Sequence, residues 1–220
     1  MLEELLADVF REVDEELRHE HYAKLWQKYG RYVIVLAVFI VVGTAANVGW
    51  REYVRAAREA DGAQFAAAVE LFAAGKSSEA ATAFAGLVAD GGDGYPTLAA
   101  LQQAAALASG GDQQGAIAIY DRLAKTADSD LLQGLARLLG ALSALDGAAV
   151  GEVERRLAPL LAGQSPWRYS AREVAALAAQ QGGKLDEAKK LFTELADDAG
   201  APAGIRARAA EMLAALGGAS

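Results

Sequence analysis

Gly75-Lys76-Ser77 has the form of the end of a phosphate-cradling loop, in which backbone N–H groups, a lysine and a hydroxyl hold a nucleotide's phosphates. That loop needs an earlier glycine at position 70, where Glu70 stands, and no strand precedes it. The chain's only histidines, His19 and His21, lie two apart, point to different faces of a helix and lack a third ligand of the same kind. Glu15-Glu16 and Asp197-Asp198 are adjacent carboxylates with no pocket-forming context, so they read as solvated surface rather than an acid–base pair. With no cysteine there is no disulfide, thiolate nucleophile or cysteine-ligated metal. We therefore expect no catalytic, cofactor-binding or metal site, no small-molecule substrate, and a chain that is not an enzyme.

The elements around these residues must be helices. Hydrophobic residues make up 53% of the chain but aromatics only 7%, so small side chains dominate and favour close-packed helices over sheets. An all-α fold follows. The formal charge of −8 opposes a phosphate-binding surface, which excludes nucleic acid as an expected partner.

The strongest local signal runs from Tyr32 to Trp50, nineteen residues without a charge. As a helix it spans about 28 Å, a bilayer's hydrocarbon thickness. Tyr32, Val33, Ile34, Val35, Leu36, Phe39, Ile40, Val41, Val42 and Trp50 are its anchoring residues, with Tyr22, Trp26, Tyr29 and Tyr53 completing an aromatic belt. Thr44 and Asn47 sit toward its C-terminal end, where they reach headgroups or bond back to the helix. A buried core helix is too short an alternative for such a run. A cleaved signal peptide would need a basic start and a shorter apolar stretch, and a surface-lying helix would need a polar face. The sequence thus predicts one transmembrane helix, 32–50, dividing a cytoplasmic segment, 1–31, from a repeat domain, 51–220. Arg18, Lys24, Lys28 and Arg31 before the span outnumber Arg51, Arg55 and Arg58 after it, which favours an N-terminus inside the cell. Before the span, Leu2, Leu5, Leu6, Val9, Phe10, Val13 and Leu17 recur at helical spacing opposite an acidic face. This amphipathic helix either covers its apolar stripe against its own chain or a copy of itself, or docks a partner.

Beyond Arg51 a repeat emerges. GKSSEAATAF at Gly75, GDQQGAIAIY at Gly111 and GKLDEAKKLF at Gly183 align at intervals of 36 and 72 residues. Each glycine is followed five residues later by Ala80, Ala116 or Ala188 and nine later by Phe84, Tyr120 or Phe192. Gly147 occupies the intervening register, with Val153, Leu157 and Leu160 in a second helix that has lost the alanine and the aromatic. The glycine supplies a tight turn between antiparallel helices, the alanine lets them approach, and the aromatic fills the gap to the next hairpin. Asp197 to Pro202 reads as a loop before a capping helix that starts near Ala203 and carries Ile205, Ala209, Met212, Leu213 and Leu216. Trp50 to Ala74 is expected to continue the membrane helix into the first repeat, because no Gly/Pro/Ser-rich tract intervenes. First helices expose small residues such as Ala66, Ala67, Ala104 and Ala175, which leave room for a ligand segment or allow tight helix packing. Gly94-Tyr95-Pro96 and Ser165-Pro166-Trp167-Arg168-Tyr169 are aromatic loops that open helices. Trp167, Arg168 and Tyr169 are candidates for partner contact, although for Trp167 the commoner reading is a staple that packs the helix start.

The Gly/Ala/aromatic spacing resembles the tetratricopeptide repeat (TPR), with 36 residues in place of 34 and without the usual Trp-Leu-Gly-Tyr first helix. Phe10-Arg11-Glu12-Val13-Asp14-Glu15-Glu16, Gly49-Trp50-Arg51, Gly94-Tyr95 and Pro166-Trp167-Arg168-Tyr169-Ser170-Ala171-Arg172-Glu173 resemble a bacterial membrane-anchored TPR family. That family, here of α-proteobacterial type, includes the ancillary subunit of the Sec translocon and shares its TPR region with a cell-division coordinator. The resemblance implies a bacterial inner-membrane protein with a periplasmic TPR domain, whose partners are translocon subunits, periplasmic chaperones or exported chains. It transfers no catalytic residue. The alternative function is a structural or regulatory one exercised through the cytoplasmic helix or self-association.

Overall fold

A computed structural model describes residues 2–90, 92, 95–145, 147 and 150–217, with the side chains of 2–25 and of Asp90 outside the description. Its elements, all helices among the described residues, are α1 (Leu2–Ala73), α2 (Ser77–Asp90), α3 (Tyr95–Ser109), α4 (Gln113–Thr126), α5 (Asp130–Ala144), α6 (Val150–Leu161), α7 (Arg168–Gln181), α8 (Leu185–Asp197) and α9 (Ala203–Ala215). They divide into two compact units, residues 1–57 and 58–220.

In the first unit, the apolar face of the predicted span has no protein cover: Val33, Phe39, Val41 and Trp50 are all exposed. α1 contains a helical stretch long and apolar enough to cross a membrane, and none of its most apolar window is buried. Thr44 donates to the Ile40 carbonyl at 2.7 Å, the back-bond expected of a hydroxyl in an apolar helix. At its ends the guanidinium of Arg31 lies over the Tyr32 ring at 4.8 Å, and Trp50 packs against Tyr53 at 6.1 Å. The apolar stripe before residue 25, the histidines, Glu15-Glu16 and Tyr22 lie outside the described side chains.

In the second unit, successive helices pair in order from α2 to α9, and α5 also meets α7 as α7 meets α9. Alternate helices thus form an inner row of first helices (the end of α1, α3, α5, α7 and the capping α9) and an outer row (α2, α4, α6, α8). The core runs along the seam between the rows and is built mainly of alanine with Phe84, Leu87, Leu157, Phe192 and Leu195 fully enclosed. Small side chains let the helices approach closely, and the few large ones fill what remains.

Candidate protein-binding surface

Three hairpin turns are built alike. At Gly75 the backbone takes φ +76°, its N–H donates to Phe72 O at 3.0 Å, and the Lys76 N–H reaches back to Leu71 O at 3.0 Å. Gly111 (φ +91°) and Gly183 (φ +76°) repeat both bonds, to Ala108 and Leu107 and to Gln180 and Ala179. This double bond ends a helix in the left-handed conformation that favours glycine. The next helix follows within two residues, and at Asp112 the carboxylate caps it by accepting from Gly115 N–H at 2.9 Å. Ala80, Ala116 and Ala188 then sit completely buried at the crossing, and Phe84, Tyr120 and Phe192 are enclosed one turn on. Phe84 meets Phe65 of α1 edge-on at 5.4 Å, while burial raises the Tyr120 phenol above its ordinary value.

Gly147 does stand between α5 and α6, but φ is not positive there and the turn differs. α5 stops at Ala144, and the Gly147 N–H bonds to Ala144 O at a long 3.4 Å. The helix that follows replaces the repeat signature by charge. Glu152 and Arg156 stand where the other units have alanine and the aromatic. Arg156 binds Glu152 at 3.1 Å and Asp121 of α4 at 2.9 Å. Val153, Leu157 and Leu160 carry the buried face instead. The position of Arg156, nine residues after Gly147, was open to inspection in the sequence; its cross-hairpin partner was not.

The aromatic helix starts turn inward. Trp167 is half-buried and donates from Nε1 to Leu131 O at 2.9 Å, and a β-carbon on Gly134 would lie 2.6 Å from its ring. Tyr95 stands in the same relation to Gly62, whose β-carbon would lie 3.0 Å from the phenol oxygen. Arg168 covers the Tyr169 ring at 4.2 Å, and Tyr169 packs into the α7–α9 core. Trp167 and Tyr169 therefore both make contacts within the fold, Trp167 in the manner of a staple. Gly94 and Asp146 lie outside the described residues.

Of the small residues expected to line a groove, Ala66 and Ala67 are exposed. Ala104 is fully buried against Ala116 and Tyr120, and half-buried Ala175 packs on the α5–α7 core, so for these two the alternative of tight helix packing applies. Their space is used by neighbouring helices rather than left open. The remaining face of α3 carries exposed Leu98 with half-buried Gln102 and Ala105 at helical spacing, since Ala99 and Ala106 face α2 while Ala100 and Ala104 face α4 and α5. Gln103 lines an outer groove of about 400 Å³ with Ser78, Thr82 and Asp112.

The remaining candidates have structural partners. Lys76 pairs with Glu79 at 3.3 Å, and Ser77 Oγ bonds to Ser109 Oγ at 3.3 Å across the hairpins. The Asp198 carboxylate accepts from the Gly200 N–H at 2.8 Å and holds the loop before α9. Among the described residues no three His, Cys, Asp or Glu side chains converge as a metal site. Lys184 joins α6 to α8 through Glu154 at 3.0 Å, and hydrogen bonds to Glu154 and then Glu187 raise its pKa above the ordinary lysine range.

Nine helices among the described residues, paired as hairpins and stacked with an inner and an outer row, define an α-solenoid of TPR type. The family model of the tetratricopeptide repeat-like domain matches residues 23–213, and the chain belongs to that family. Comparison with curated proteins and with solved structures returned no match. The class suggests protein partners, since repeats of this kind present extended surfaces rather than reaction centres.

Proposed function

We propose that this protein is a membrane-tethered interaction scaffold ancillary to the Sec translocon, holding exported polypeptides or periplasmic chaperones. In this reading residues 32–50 cross the bacterial inner membrane, the N-terminus is cytoplasmic and the repeat unit periplasmic. The observation that carries it is the row of first helices, of which α3 leaves Leu98 exposed and Gln102 half-buried on a face that α2, α4 and α5 do not use. Such a face binds extended segments by many weak contacts, and tethering raises the effective concentration of both partners so that weak contacts suffice. The uncovered apolar stretch of α1 supports the tether.

Site-specific photocrosslinking in native membranes tests this. Probes at Gln64 and Gln102, on the inner row, should capture translocon subunits, chaperones or nascent exported chains, while a probe at the outer, exposed Gln114 should not. If no position captures any of them and the N-terminal helix captures a cytoplasmic factor, the regulatory alternative replaces the scaffold. Topology is checked separately by protease added to spheroplasts: degradation of residues 60–220 is expected, and their survival until detergent is added reverses the orientation.

A further inference from the structure

Stepping by 72 residues carries the α2–α3 joint onto the α6–α7 joint, and the two are finished differently. Ser78, Ala81, Thr82 and Ala85 of α2, with Asp112 before α4, correspond to Val150, Val153, Glu154, Leu157 and Lys184. At the later joint Val153 and Leu157 are buried, and Val150 stands where a β-carbon on Gly182 would go. Lys184 donates to Glu154 at 3.0 Å and bridges the two outer helices. At the earlier joint the same positions line an open groove of about 400 Å³, with Leu107 of α3 on its other wall. Alanine at 81 and 85 lacks the carbons that valine and leucine supply. The bridge is absent too, since Thr82 and Asp112 stand where Glu154 and Lys184 meet. Asp112 already accepts from the Gly115 N–H at 2.9 Å, and the Thr82 hydroxyl donates to Ser78 O at 3.0 Å. Both groups can therefore still accept from a further donor. Among the described residues no cationic side chain lines the groove, and the adjacent Lys76 is paired with Glu79 at 3.3 Å.

We propose that the α2–α3 groove is a docking site for a lysine side chain on an exposed segment of a partner protein. The later joint shows what the groove lacks: aliphatic carbon fills that joint and an ammonium bridges it, and lysine brings both on one side chain. The methylene stem lies along Ala81, Ala85 and Leu107 and is removed from water there. The ammonium donates to the Asp112 carboxylate and the Thr82 hydroxyl, a charge-assisted contact of complementary sign. The chain's formal charge of −8 draws a cationic segment toward it. Gln103 and Leu107 lie on a different side of α3 from Leu98 and Gln102, so this contact is additional to the inner row and does not rest on the scaffold reading.

The test uses the full-length chain in nonionic detergent micelles and an N-terminally fluorescein-labelled peptide of Gly and Ser with one central Lys, beside the same peptide with norleucine. Norleucine keeps the stem and lacks the ammonium. Fluorescence anisotropy should show the lysine peptide binding about tenfold or more tightly. Asp112→Asn keeps a good helix N-cap and should erase that preference. Ser78→Val with Ala85→Leu installs the side chains of the later joint and should weaken the lysine peptide by about tenfold although Asp112 remains. Circular dichroism and the urea midpoint show whether each variant folds. Carbodiimide coupling of the lysine peptide to the unaltered chain needs no variant, and the new amide should map to Asp112. Equal binding of the two peptides overturns the proposal, as does a lysine preference that survives in both folded variants, or coupling only to other carboxylates. Displacement of the peptide by an equal concentration of butylamine overturns the protein partner and leaves a pocket for small amines. None of these results bears on the membrane crosslinks, by which the scaffold reading is judged.

Discussion

Gly134→Ala is the most economical test of how the inner row is joined. A β-carbon there would lie 2.6 Å from Cδ1 and 3.0 Å from Nε1 of Trp167, so either the indole or the α5 backbone must shift. The indole is not free to do so, because its N–H is committed to Leu131 O at 2.9 Å and its body packs on the α5–α7 core. Overpacking of this kind costs about 1–3 kcal/mol. Loss of the hydrogen bond adds about 1 kcal/mol, and alanine recovers about 1 kcal/mol of helix propensity over glycine. The net expectation is a destabilisation of about 1–3 kcal/mol. Urea unfolding of the full chain in micelles, followed by tryptophan emission with Trp26→Phe and Trp50→Phe as background, reports on Trp167 alone. The midpoint should fall and native emission should shift red. In a Trp167→Ala background the same glycine change should turn neutral or favourable, which a double-mutant cycle isolates. A midpoint at or above the parent's, with emission unchanged, would refute the interlock.

Other expectations follow from the same geometry. Gly183→Val forces a β-branched residue to φ +76° and should destabilise by about 1 kcal/mol or more, whereas Gly147→Ala, with no positive φ and nothing within 4 Å, should be near neutral by the same urea assay. Arg156→Ala strands the Asp121 and Glu152 carboxylates and should destabilise, by less than the about 3–5 kcal/mol of a fully buried pair. Glu152→Ala with Arg156→Phe restores the repeat signature and should regain that stability, and thermal melts distinguish the two. Burial raises the Tyr120 phenol above its ordinary 10.0, so its protonated form is favoured in the folded chain. That contribution is complete below the unfolded value and is lost as pH rises through the folded one, so stability should fall above about pH 10. Tyr120→Phe should flatten that decline, and an unchanged alkaline profile would contradict the assignment.

Much of the fold was legible because it is locally encoded. A glycine that must take positive φ, an alanine five residues on and an aromatic nine residues on are fixed by turn geometry and helix contact within one hairpin, so Gly75, Gly111 and Gly183 announced their turns without help from the rest of the chain. The loop before α9 and the buried face of α6 were equally readable, since Val153, Leu157 and Leu160 keep helical spacing after the signature is gone. The run from Tyr32 to Trp50 set its own length and apolarity.

Tertiary structure decided what lies between hairpins. Ala104 and Ala66 are indistinguishable as residues, yet one is sealed by Tyr120 and the other is open, because burial depends on which neighbour a helix face meets. The same holds for Gly134, whose lack of a side chain matters only because Trp167, 33 residues later, leans on it. Arg156 reads as surface until Asp121 is found opposite it. A 36-residue period gives the register of these residues but not which helix faces meet, and that meeting decides that Ala104 is sealed while Ala66 is open.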